Sequence, residues 1–384
     1  MQLEWLIFPA WALLALGVLG TLYLATAAWA VRRVTRRRPV PLRVSIPVTI
    51  LKPLHGTDFE LEANLRSFCA QDYAPYQVVF GVADPNDSAV PVVRRLIADL
   101  PERDLALTVG GPAAPNRKVA NLTNMLPQAK YPLLVIADSD MRVRPDYLAT
   151  VAAEFADPRI GMVTCLYRGI SAGGLWSRLA CLHVNNGFLP QAAVGEVLGV
   201  GDGAFGATMA LERATLEAAG GFESLAYELA DDHALGAAVR GLGRQVALSP
   251  VLVDNLIFEP SFMALFRHEL RWARTVRLVV PWGYAGTLVT HPAALAALAL
   301  CLGVPAVWGW PVLGLALVIR GATVRLNDRA LGLSPSPLWL IPPRDLLSFV
   351  VFIGSFFTRS VAWRDRRFRI GRGGRLTLDG DSTA

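Results

Sequence analysis

Between Leu6 and Val31 the chain carries no charged side chain, and Arg32, Arg33, Arg36, Arg37 and Arg38 follow at once. A helix rises about 1.5 Å per residue, so a run of this length crosses a hydrocarbon core about 30 Å thick. Lys and Arg are retained on the cytoplasmic side of a membrane. The run is therefore predicted to be a spanning helix, residues 1–31, with its start outside and residue 32 onward inside. A cleaved signal peptide would carry positive charge ahead of the apolar run, whereas the charge ahead of this one is Glu4. Whatever the remainder folds into is predicted to be tethered to a bilayer.

The rest of the apolar excess is also unevenly placed. Hydrophobic residues make up 53% of the 384 and mean hydropathy is +0.39, high for a soluble protein. From Trp282 to Ile319 the only side chain that can carry charge is His291. This length predicts two closely spaced helices joined near Gly303 to Pro311, which return the chain to the cytoplasm and leave Arg320, Arg325 and Arg329 inside. Leu346 to Phe357 is short for a span, and the arginine-rich stretch Arg359 to Arg375 follows it, which predicts a re-entrant or interfacial segment. The expected organisation is a helix over 1–31, a cytoplasmic domain over 32–281, a membrane region over 282–357 and a basic cytoplasmic tail over 358–384. That is a multi-pass protein of the inner (cytoplasmic) membrane. The net charge of +6 comes largely from arginines beside the apolar blocks, where they meet anionic headgroups. No stacking motif or basic helix points to nucleic acid. Cys69, Cys165, Cys181 and Cys301 form no CxxC pair, so neither a zinc site nor a disulfide framework is indicated.

The middle of the chain reads as α/β. Val48 to Leu51 is a short β-branched run ended by Lys52-Pro53. Asp58 to Phe68 has helical spacing, Gln77 to Val82 is strand-like, Val90 to Leu100 helical, Leu105 to Val109 strand-like, and Leu133 to Ala137 wholly apolar. Alternating strands and helices predict a parallel, doubly wound sheet. A wholly apolar strand belongs at its centre, covered on both faces. Ligands bind beyond the carboxyl ends of such strands, so the acidic residues there carry the interest.

Four places qualify. Asp84 follows the strand Gln77 to Val82. Asp138-Ser139-Asp140 ends the strand Leu133 to Ala137, and its two aspartates, two residues apart, point to one side in extended backbone. Two hard carboxylates can hold Mg²⁺ or Mn²⁺, which in turn bridges a diphosphate. A lone DxD is a weak signal; its place at the end of a buried strand strengthens it. Asp231-Asp232 follows the turn Gly220-Gly221-Phe222. Asp232 can act as a base on a hydroxyl, or the pair can be an acidic first helical turn favoured by the helix dipole. Finally, His268-Glu269-Leu270-Arg271-Trp272 lies on a helix predicted over Ser261 to Arg277. By itself this is a basic amphipathic helix on the membrane surface; beside a diphosphate, Arg271 would suit phosphate oxygens. Lys118 reads equally as a phosphate ligand or as a solvated lysine at a helix start.

In order and spacing these pieces resemble the ceramide glucosyltransferase family, whose pattern is D, D, D and then [Q/R]xxRW. The likeness extends to Ile50-Leu51-Lys52-Pro53-Leu54-His55-Gly56 and to Asn116-Arg117-Lys118-Val119-Ala120-Asn121-Leu122, and covers nearly the whole chain. Bacterial members of this group include enzymes that glycosylate hopanoids. The resemblance implies a GT-A (Rossmann-like) glycosyltransferase domain flanked by transmembrane helices. Its implied reaction is inverting, metal-dependent transfer of glucose or N-acetylglucosamine from a UDP-sugar to the hydroxyl of a membrane lipid, ceramide or hopanoid. It implies Asp84 at the nucleoside, Asp138 and Asp140 at the metal and diphosphate, Asp232 as base, and Arg271 and Trp272 closing over the donor phosphates and lipid headgroup. Lys118 and His268 join the donor site. His268 departs from the family's Gln or Arg, and a His can donate a hydrogen bond but changes charge with pH. The alternatives are a processive polysaccharide synthase, for which the resemblance would require Gln at that position and more spans, and a membrane scaffold with an inactive domain.

Overall fold

A computed structural model describes residues 4–111, 114–201, 203–357, 360–363, 366–370 and 376–378. The chain divides into two compact units. A sheet unit comprises 36–172, 200–258 and 368–384; a helical unit comprises 1–35, 173–199 and 259–367. The predicted continuous domain over 32–281 is thus interrupted: 173–199 and the stretch from 259 cluster with the apolar helices. Of the expected tail over 358–384, only 360–363, 366–370 and 376–378 are described, as short strands; the rest lies outside the described residues.

The sheet unit is built on β1 (Val48–Leu54), β2 (Tyr76–Val82), β3 (Leu105–Val109), β4 (Leu133–Ile136), β5 (Met141–Arg142), β6 (Ile160–Ser171), β7 (Met209–Glu212) and β8 (Gln245–Ile257). Their order is β3-β2-β1-β4-β7-β6-β8-β5. β4 is apolar throughout, and β1 and β2 are buried along almost their whole length, because both faces are covered. On one face Ile50, Val78, Phe80 and Val135 pack with Leu65, Phe68, Val93 and Leu96. On the other, Leu51, Val79, Leu134 and Ile136 pack with Leu122, Met125, Leu235 and Val239. Each such side chain removed from water contributes about 1.5–3 kcal/mol, which makes this first half of the sheet the rigid platform for whatever lies at its strand ends.

Three local expectations are corrected. The sheet is mixed, not wholly parallel: β3, β2, β1 and β4 run parallel, but β7 runs antiparallel to both β4 and β6. After β6 the chain passes through the helices of 173–199 in the helical unit before it returns as β7, and a connection of that length leaves either pairing direction open. β1 continues through Lys52-Pro53 to Leu54, paired with β2 alone beyond Leu51. With one neighbour the strand is an edge there, and the missing N–H of Pro53 costs little. The helix expected over Asp58 to Phe68 is Leu61–Cys69, because Glu60 ahead of it is left-handed at φ 52°.

Among the described residues of the helical unit three helices are long and apolar enough to cross a membrane by length and composition: Ile7–Thr35, Ala306–Ala330 and Leu338–Phe357. The last is longer than the apolar stretch read from sequence, since Leu338 to Ile341 and two prolines in the first helical turn extend it upstream. The pair expected over Trp282 to Ile319 is different. Pro281–Thr290 and Pro292–Cys301 are bent by 73° at the break, each opening on a proline that cannot donate back into a preceding turn. The partner helix runs on to Ala330, so Arg320, Arg325 and Arg329 lie within it. Small residues let backbones approach, as is usual between apolar helices: a Cβ at Gly20 would run into the Val289 carbonyl. Buried charges are paired. Arg344 grips Glu269 at 2.6 and 2.7 Å. Arg320 bonds Asp345 at 2.8 and 3.1 Å and the Asn186 carbonyl at 2.9 Å.

Candidate active site

β4 delivers its carboxyl end to the middle of the sheet. The Ala137 N–H bonds the Leu51 carbonyl at 3.2 Å, so the backbone stays extended for one residue before it turns at Asp138-Ser139-Asp140. Lys52 of β1 is fully buried beneath that turn. Its ammonium donates to the Asp138 main-chain oxygen and sits 3.8 Å from the Phe68 ring centroid. Burial brings the Lys52 pKa down to about 7, against the pull of Asp138, Asp140 and Asp58. The Ser139 hydroxyl donates to the Asp58 carboxylate, and the Asn255 amide donates to Asp140 Oδ2 at 2.9 Å. Burial, then the neighbouring Asp138 and Asp58 carboxylates, push the Asp140 carboxyl up to about 6, against Asn255 and Lys52.

Lys118 enters from the first turn of the helix Arg117–Met125, whose cap is set by the Asn116 side chain accepting from Val119 N–H at 3.1 Å. Its ammonium is 2.8 Å from Asp138 Oδ1 and 3.2 Å from Asp231 Oδ2. Burial works against that charge, but Asp138, Asp231 and Asp232 outweigh it and raise the pKa. Lys118 is thus held charged among carboxylates, not on a solvated helix start.

Asp231 and Asp232 occupy the first turn of the helix Asp231–Gly241. That satisfies the dipole reading, yet Asp232 does more. Its Oδ2 accepts the Gly206 N–H at 2.9 Å and its Oδ1 the His233 N–H at 2.8 Å. Burial and then Asp231 push its carboxyl up to about 6, with Lys118 opposing. Gly206 lies between the parts: a Cβ built there would be 2.9 Å from Asp138 Oδ2, 3.2 Å from Lys118 Nζ and 3.5 Å from Asp232 Oδ2. The result is a small polar cradle, floored by a glycine and walled by two carboxylates and an ammonium.

The sheet unit therefore gathers Asp138, Asp140, Lys118 and Asp232. Asp84 stands at the end of β2, separated from β4 by β1; it is exposed and accepts the Asn86 N–H of its own turn at 2.8 Å. His268, Arg271 and Trp272 belong to the helical unit, on the helix Phe262–Val279 capped by Ser261. There His268 Nδ1 is 2.7 Å from the buried Glu259 carboxylate and the ring meets Trp272 edge-on, centroids 4.4 Å apart. Lys52, Asn255 and Gly206 were not singled out by the sequence. Gly206 had a signal, a cluster of glycines at 199, 201, 203 and 206 ahead of β7. Tyr167 was also missed: burial, then Asp232, Asp140 and Asp138, raise its phenol.

Among the described residues no group of three or more His, Cys, Asp or Glu side chains could hold a metal by itself. Two crowded carboxylates are nevertheless the donor set expected for Mg²⁺ or Mn²⁺ that completes its shell with phosphate and water. Burial first, then the Asp138 and Asp58 carboxylates, disfavour the ionised form of Asp140, and a dication on these oxygens would favour it. The residues present fit such an ion.

Residues 12–376 match the family described as Glycosyl transferase family 21. Ceramide glucosyltransferase 1 of Caenorhabditis elegans is 25% identical over 353 residues, covering 87% of this chain and 74% of that protein. Ceramide glucosyltransferase 3 of the same organism is 24% identical over 368 residues, covering 86% and 74%. Among solved structures, the mannosyltransferase PcManGT from Pyrobaculum calidifontis, in complex with GDP-Man and Mn²⁺, superposes with a TM-score of 0.55 at 23% identity, covering 91% of this chain and 97% of that one. That likeness is one of fold.

Proposed function

The chain belongs to glycosyl transferase family 21, and from that premise we propose that it moves a hexose from a UDP-sugar to the hydroxyl of a membrane lipid, with inversion and with a divalent ion. The observation that carries the reading is the cradle at Gly206, where a carboxylate with a raised pKa, a charged lysine and a paired-carboxylate turn converge. In the proposed reaction the acceptor hydroxyl attacks the anomeric carbon as the bond from that carbon to the diphosphate oxygen breaks. Asp232 takes the hydroxyl proton. Lys118 steadies the negative charge left on the diphosphate. Asp138 and Asp140 would hold Mg²⁺ or Mn²⁺, which supplies Lewis-acid neutralisation of the same charge. Asp84, an exposed acceptor at a strand end, is assigned to the nucleoside.

Arg271, Trp272 and His268 are assigned to the donor phosphates and lipid headgroup. Glu259 supports this for His268: a carboxylate on Nδ1 fixes the tautomer and turns Nε2 outward. The chain is proposed to sit in the inner membrane with its sheet unit in the cytoplasm, because arginines follow the first apolar helix. Ceramide and glucose are the favoured acceptor and sugar, since the relatives are ceramide glucosyltransferases; a hopanoid and N-acetylglucosamine are the alternatives.

The test is the full chain in vesicles with UDP-glucose and ceramide. UDP release with a ceramide product heavier by one hexose is expected. A ladder of hexose additions would indicate a processive synthase, and no UDP release with any lipid acceptor would indicate a scaffold. Gly206→Ala is expected to lower kcat/KM by about 10²-fold, the scale of loss when reacting groups shift by an ångström, because its methyl displaces Asp138 or Lys118. Activity within a few-fold of wild type would remove Gly206 from the site.

A further inference from the structure

Large apolar side chains of the sheet unit are mostly buried, but Phe59 and Phe258 are 42% and 51% exposed. They stack on each other, centroids 5.5 Å apart and planes within 12°. Isolated exposed phenylalanines need no explanation; two from distant parts of the chain, brought together at the surface, do.

Both are fastened to the Asp138-Ser139-Asp140 turn. Phe59 follows Asp58, which accepts the Ser139 hydroxyl. Phe258 follows β8, where the Leu256 N–H bonds the Asp140 carbonyl at 3.0 Å and the Asn255 amide bonds the Asp140 carboxylate at 2.9 Å. The loop that presents Phe59 is held on three sides. Asp87 accepts the Gly56 N–H at 2.8 and 2.9 Å. Asn64 donates to the Phe59 carbonyl at 3.3 Å. Arg142 reaches Glu60 at 2.6 Å and Asn64 at 2.9 Å. Glu60 pivots the loop at φ 52°, a left-handed conformation that a non-glycine residue keeps only when its surroundings impose it. The arrangement holds an aromatic ring out of the core, on a loop tied to the Asp138-Ser139-Asp140 turn.

We propose that the Phe59–Phe258 pair is the contact for the alkyl chain of the lipid acceptor, next to its headgroup. The proposal rests on the lipid-acceptor reading above. A lipid hydroxyl that reaches Asp232 drags its first methylenes with it, and those need apolar cover while the headgroup is in a polar site. The ring pair offers that cover on segments bonded directly to the Asp138-Ser139-Asp140 turn. A nucleobase is the other aromatic-seeking ligand, but these rings are already stacked on one another and offer edges and outer faces. An alkyl chain uses those without a defined stacking geometry.

The probes are long-chain ceramide, a ceramide with truncated chains that dissolves in water, and a ceramide carrying a photoreactive diazirine near the headgroup end of its alkyl chain. The protein is the full chain in phosphatidylcholine vesicles, as wild type and as Phe59→Ser/Phe258→Ser. The ratio of kcat/KM for long over truncated ceramide is expected to fall about tenfold in the variant, from the apolar area lost at two half-exposed rings. The diazirine is expected to label the wild-type segments that carry Phe59 and Phe258, and the variant much less. A ratio that stays constant, whether both activities fall together or neither does, overturns the proposal, as does labelling confined to the apolar helices. If neither ceramide is glycosylated while the two segments are still labelled, the ceramide reading has failed and the lipid contact stands.

Discussion

Asp232→Asn is expected to reduce sugar transfer by about 10²–10⁴-fold, the range for losing a general base, while donor affinity stays close to that of wild type. The amide keeps the shape of the carboxylate and an oxygen to accept the Gly206 N–H, now 2.9 Å from Asp232 Oδ2. What it lacks is the capacity to take a proton and the second oxygen that accepts the His233 N–H. Burial and the neighbouring Asp231 hold the Asp232 carboxyl up to about 6, and only the ionised form can act as base. In wild type kcat/KM should therefore fall as pH drops through that region, and this acid limb should disappear with the carboxylate. Titration calorimetry with UDP-sugar, set beside turnover, separates the two effects. Weakened donor binding with turnover reduced in proportion would place Asp232 with the donor and leave the base unassigned.

Removal of divalent ions is expected to weaken UDP-sugar binding by about 10²-fold or more, since an ion between carboxylates and a diphosphate contributes several kcal/mol. Asp140→Ala should reproduce the loss, and a chelator should then add little to it. The motive is geometric. Asp138 Oδ1 is already engaged by Lys118 at 2.8 Å and Asp140 Oδ2 by Asn255 at 2.9 Å, and burial, then the Asp138 and Asp58 carboxylates, raise the Asp140 carboxyl to about 6 with Lys52 opposing. A dication bound there would offset the burial and crowding when a diphosphate arrives. Binding that a chelator leaves untouched would mean that the diphosphate is held without a metal, with Lys118 as its cation in the sheet unit.

Local periodicity carried much of the fold. The uncharged run from Leu6 to Val31 could only be a helix in an apolar medium, and the helix Glu4–Thr35 covers it. The wholly apolar Leu133 to Ile136 demanded cover on both faces and sits at the centre of the sheet. Ser261 at the head of an amphipathic run caps the helix Phe262–Val279. Each is decided within one turn or one strand, by hydrogen bonds and side-chain spacing that neighbouring residues share.

Tertiary structure decided the rest, because it depends on which distant segments close upon one another. Nothing near Lys52 announces a buried ammonium; its partner is the Asp138 carbonyl, 86 residues on. Gly206 is one glycine among several until β7 turns back against β4 and sets it between Asp138, Lys118 and Asp232. Phe59 had the spacing of a helical core residue, but Asp58 is taken by Ser139 and Glu60 turns left-handed, which puts the ring on the surface against Phe258. The residue types that can do the chemistry were legible in the sequence because carboxylates at the end of an apolar strand are locally conspicuous. Their charge states and mutual distances were not, since both are set by burial and by contacts made only after loops of many residues have closed.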